Sequence, residues 1–101
     1  MRIPDPKIVS QATGEPTLGF ISPPSMTHEA RVQFFGEAPF DDIEYHWVAD
    51  PPGCVVWTDE RFAFKRAFKI VGNGWVFCRL TDSNGFYYDV PPVGVRVTSP
   101  V

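Results

Sequence analysis

Apolar residues recur at every second position through most of this chain. Val76, Cys78 and Leu80 alternate with Trp75, Phe77 and Arg79, the period-2 signature of a strand. Ser83-Asn84-Gly85 follows directly, and Asn-Gly tolerates the positive φ that a tight hairpin turn requires. Phe86-Tyr87-Tyr88 then begins a return strand. Ile43, Tyr45 and Trp47 share one face of an earlier segment, with Glu44, His46 and Val48 on the other. Val32 and Phe34 alternate within Ala30–Phe35, and Val93, Val95 and Val97 form a last strand. Lys7–Ser10, Phe20-Ile21 and Cys54–Trp57 are shorter candidates. Segment 62–71 fits either period. Phe64, Phe68 and Val71 match a helix; Phe62, Phe64, Phe68 and Ile70 match a strand interrupted at Arg66. Its aromatic and β-branched content, followed by Gly72, favours one or two strands with an irregularity. Gly36–Pro39, Asp50–Gly53 and Pro91-Pro92 separate these runs. The pattern predicts about seven or eight short strands, the mark of an all-β sandwich or barrel.

Composition narrows this further. A chain of 101 residues is one domain, long enough to bury a core without metals or disulfides. The 11 prolines are spread along the whole chain and disfavour long helices. They are dense in residues 1–27, which reads as a Pro-rich N-terminal arm or first edge strands, with the sandwich proper over 28–101. A net charge of −3 without a basic run argues against nucleic acid as a partner. Met1–Pro6 lacks an apolar signal segment, and no stretch is long enough for membrane insertion, so the expectation is a protein made and used from the cytoplasm. In such a compartment Cys54 and Cys78 are expected to be free thiols rather than a bridge.

Gly74-Trp75-Val76-Phe77-Cys78 resembles the Asp-x-Gly-x-Tyr-x-Cys segment of immunoglobulin-like domains, and Thr81–Gly85 looks like the F–G hairpin that follows it. Trp47 matches the buried tryptophan of that fold, and Val93, Val95 and Val97 its final strand. The resemblance spans residues 28–99 and departs from the family in places. Gly72 stands for the aspartate and Val76 for the corner tyrosine, and Val32 or Phe34 occupies the strand of the missing first cysteine. It implies an immunoglobulin-like antiparallel β-sandwich of the bacterial and phage type, without the inter-sheet disulfide.

Candidate chemistry is sparse. Glu44 and His46 point the same way, and with Asp41 or Asp42 they could form an acid/base pair or a weak metal site; a solvated sheet face with one histidine is the favoured reading, because spacing places no third ligand or nucleophile. Cys78 with His46 mimics a nucleophile and base, but its parity with Val76 and Leu80 marks it as buried. Asp59-Glu60 and Asp82 offer too few oxygens for calcium, and Asp82 reads as a turn residue. The expectation is therefore a non-enzyme with no cofactor. Trp75, Phe77, Arg79, Tyr87 and His46 are the candidate binding residues, because adjacent outward aromatics beside an arginine are typical of contact surfaces. The family resemblance points to a virion component of a phage, in a capsid decoration or tail, assembled in the host cytoplasm and touching virion subunits. The alternative is a carbohydrate-binding or adhesion module on a bacterial cell surface. Host-surface glycan is then a partner, and self-association through the aromatic face into a homo-oligomer is a further option.

Overall fold

The computed structural model describes residues 3–58 and 64–98. Among them are nine strands and no α-helix. β1 (Pro6–Ser10), β3 (Thr27–Phe34), β6 (Lys65–Ile70) and β5 (Val55–Trp57) make one sheet, in the order β1-β3-β6-β5. β2 (Gly19–Ser22), β9 (Val93–Val97), β7 (Gly74–Thr81) and β4 (Glu44–Asp50) make the other, in the order β2-β9-β7-β4, and β8 (Tyr87–Asp89) pairs with β7 beyond the end of β9. All pairings are antiparallel except β2 with β9, which is parallel. The chain is an all-β sandwich of two packed sheets.

The count is nine, against an expected seven or eight, because both short candidates of the Pro-rich segment pair as strands. The Pro-rich first segment changes sheets. β1 pairs with β3, the chain turns at Gly14 (φ 71°), and β2 joins β9 on the opposite layer. As the sequence indicates, Pro91-Pro92, which cannot donate to a ladder, separate β8 from β9, and each pairs with β7 on its own. Cys54 closes a 3-10 turn, Pro52–Cys54, and only Val55–Trp57 is extended.

The core follows the alternation. Ala30 and Val32 on β3 and Phe68 and Ile70 on β6 face Trp47 and Ala49 on β4, Val76, Cys78 and Leu80 on β7, and Val93 and Val95 on β9. Trp47 is buried directly opposite Cys78. Phe68 is fully buried and meets the rings of Phe20 and Trp57 edge-on, at 5.4 and 5.8 Å between centroids. β2 contributes Phe20 and Ser22 to this interior, so it is bound to the sandwich by side chains as well as by its ladder.

β6 corrects the expectation of an irregularity. It runs unbroken from Lys65 to Ile70, and Arg66 points inward with Phe68 and Ile70. Its guanidinium lies 4.8 Å from the centre of the Trp57 ring, so a buried cation replaces the apolar residue that the alternation calls for. Phe62 and Ala63, the start of that run, lie outside the described residues. The β7–β8 turn also differs in detail. Only Gly85 takes a positive φ (87°). Asp82 Oδ1 accepts the amides of Asn84 and Phe86 at 3.0 and 2.9 Å, and Gly85 N–H donates to the Asp82 carbonyl. Asp82 is thus the turn-forming residue that the sequence indicates.

Candidate functional site

The outer face of the five-stranded sheet carries all five of the residues singled out from the sequence. Strand register arranges them in rows. Glu44, Thr81 and Tyr87 lie side by side, then His46, Arg79 and Asp89, then Val48 and Phe77, and finally Asp50, Trp75, Gly94 and Gly19. Rows rather than sequence neighbours define the chemistry here, because cross-strand side chains stand about 5 Å apart.

The first two rows are tied up internally. Arg79 grips Asp89 with two hydrogen bonds, Nε to Oδ1 at 2.7 Å and Nη2 to Oδ2 at 3.0 Å. That contact holds the Asp89 carboxyl below its ordinary range and raises the Arg79 guanidinium above its own. The same guanidinium sits 4.7 Å from the centre of the Tyr87 ring. His46 Nε2 is 3.1 Å from Thr81 Oγ1 and 3.5 Å from Glu44. Arg79, Tyr87 and His46 are therefore brought together on one face, but in contacts with each other and their neighbours. Exposed pairs of this kind add little to stability, because water screens them.

The last row is different. Trp75 is 55% exposed; its neighbour on β4 is Asp50, and on the other side the row runs on through two glycines. Gly94 lies beside it on β9, and Gly19 beside Gly94 on β2. Neither has a side chain, so bare backbone two strands wide adjoins the indole. A Cβ on Gly19 would stand 2.6 Å from the Gly94 carbonyl oxygen, so only glycine permits the two strands to lie this close. The exposed side chains of Leu18 and Ile21 form the far wall, and Asp50, Asn73 and Arg96 lie on the rim, around a groove of about 1040 Å³. Half-buried Phe77 continues the apolar strip toward Val48.

Cys78 and His46 occupy opposite faces of the sheet, so no nucleophile–base contact forms. Burial pushes the Cys78 thiol up to about 12, which removes the thiolate at neutral pH. Burial also raises Cys54. The two thiols are free and distant. Cys54 packs under Gly74, and Cys78 is about 13 Å further along β7 at strand rise, too far for a bridge. Asp59-Glu60 lie outside the described residues, and among those described no three His, Cys, Asp or Glu side chains are grouped to hold a metal ion.

Sequence reasoning missed Gly19, Gly94, Leu18 and Ile21. One signal was present: a glycine inside an otherwise clean strand, as at Val93-Gly94-Val95, marks a place where something approaches the backbone closely. Comparison with known proteins adds no assignment to this geometry: no protein-family model and no curated protein matches the chain.

Proposed function

We propose that this chain is a non-enzymatic binding module, an immunoglobulin-like structural component of a phage virion, in a capsid decoration or the tail. It docks through the outer face of its five-stranded sheet, and its partners there are other virion subunits. One observation carries the reading: the strip of Val48, Phe77 and Trp75, running into a glycine-floored groove, is apolar, open and adjacent to a rigid charged network. A soluble domain seldom leaves aromatics on a sheet face without using them, and tryptophan and arginine are typical anchors of protein contacts. Arg79, Tyr87 and His46 form the polar rim of the docking surface. They are held in place before binding, which lowers the entropy lost on association.

The virion setting rests on the sequence resemblance. Supporting it are the two free buried thiols and a core that closes around Trp47 without a disulfide, as suits assembly in a reducing cytoplasm. A reporter fusion of the chain is expected to co-sediment with phage particles, and Phe77→Ser with Trp75→Ala to release it. A fusion that stays in the supernatant, with the sandwich folded, overturns the virion reading. The second setting, an adhesion module of a bacterial surface protein, is favoured by the groove beside Trp75 and uses the same face. Labelling of intact cells, without labelling of particles, decides for it.

A further inference from the structure

We infer that the groove beside Trp75 is a saccharide subsite, and that its ligand is a neutral sugar. The inference rests on the binding-module reading and names the ligand class of its apolar end. A pyranose presents a face of C–H groups and a rim of hydroxyls. It calls for an exposed aromatic ring, room for a flat body beside that ring, and a few donors and acceptors around the edge.

The last row of the sheet provides each of these. Trp75 is the exposed ring. Gly94 and Gly19 leave the space beside it open, and a Cβ on Gly94 would already come within 3.8 Å of Trp75 Cζ3, so any larger side chain there stands against the indole. On the rim, the Asp50 carboxylate accepts from hydroxyls and the Arg96 guanidinium donates to them. Asn73 Oδ1 is engaged by the Val97 amide at 3.1 Å, which fixes the side chain and turns its NH₂ group into a positioned donor.

Charge selects within the sugars. Asp50 and Arg96 are the only charged residues lining the groove among those described, and they cancel. A polyanion meets Asp50 with no net attraction to offset it, whereas a neutral ligand meets both an acceptor and a donor. The geometry also argues against an added β-strand at this edge. The Thr17 hydroxyl donates to the Gly19 carbonyl at 2.8 Å and accepts the Gly19 amide at 3.2 Å, so the backbone groups of Gly19 are already used, and Pro23-Pro24 end the strand. The open surface is the face, not the edge.

The test is amide chemical-shift titration of the whole chain with maltotriose, cellotriose and chitotriose at up to about 20 mM, the range for a weak single subsite. Decaproline and a sulfated trisaccharide serve as competing probes. A neutral trisaccharide is expected to shift residues 19–21, 50, 73–75 and 94–96, with no change at Phe86, an exposed aromatic outside the groove. Trp75→Ala is expected to weaken binding at least about tenfold, as loss of a central contact does. Gly94→Val, which fills the space beside the ring and keeps the indole, is expected to do the same. No shift from any neutral sugar overturns the inference, as does a shift that survives both variants. Shifts from decaproline or the sulfated sugar alone overturn it in favour of those occupants. Particle co-sedimentation is scored separately: groove shifts without co-sedimentation sink the virion reading alone, and co-sedimentation without groove shifts sinks the saccharide site alone.

Discussion

Replacing Gly19 by alanine tests the feature on which the groove depends. The new Cβ would stand 2.6 Å from the Gly94 carbonyl oxygen and 3.3 Å from its carbon, both backbone atoms that cannot rotate away. β2 and β9 must therefore move apart by several tenths of an ångström, a strain of the overpacking kind worth about 1–3 kcal/mol. The cost has a ceiling, because β2 can detach instead. Detachment exposes Phe20, worth about 1.5–3 kcal/mol, and breaks the 2.6 Å contact between Ser22 and His28, worth about 1 kcal/mol. Gly94→Ala is the matched control in the same row. Its Cβ meets only Trp75 Cζ3, at an ordinary 3.8 Å, and the substitution restricts the unfolded chain, so it is expected to be neutral or to stabilise by about 0.4–1 kcal/mol. Urea and thermal denaturation measure both. For a domain of this size the Gly19 variant is expected to melt lower by roughly 5–20 °C. Equal effects at the two positions, or a larger loss at Gly94, would refute the parallel placement of β2 against β9.

Three further outcomes follow from the packing. Trp47→Ala removes the indole that lies against Cys78 in the core and is expected to cost about 3–5 kcal/mol, a large share of a small domain's stability, read as a lower urea midpoint with the slope unchanged. His28 sits among Phe20, Phe68 and Ser22, and burial lowers its pKa below the ordinary 6.5. The unfolded chain therefore takes up that proton first. The histidine's contribution is complete above pH 6.5 and declines as pH falls below it toward the lower folded value, so denaturation at about pH 8 and about pH 5.5 should show a loss that His28→Gln abolishes. Both thiols are buried, and the Cys78 thiol titrates only near 12, so alkylation by iodoacetamide is expected to be slow in the native protein and to become fast on unfolding; rapid labelling of the native fold would contradict the burial.

Strand alternation, being local, was decided by the sequence. The period-2 pattern alone placed Trp47, Val76, Cys78 and Leu80 inside and Trp75, Phe77 and Arg79 outside, because one residue's face determines its neighbours' faces along a strand. Asp82 as a turn former and the inertness of Cys78 follow from the same short-range chemistry. Contacts between strands far apart in the chain were decided only by the tertiary structure. That β1 and β2 part to opposite sheets depends on which ladder each can join, not on their own residues. Arg66 reads as a break in the pattern until Trp57, brought alongside by β5, gives its cation a face to lie against. Arg79 looks like a free contact residue until the register sets Asp89 opposite it. The groove is the extreme case: Gly19 and Gly94 have no side chain to carry a hydrophobic signal, and their meaning appears only when folding sets them in line beside Trp75.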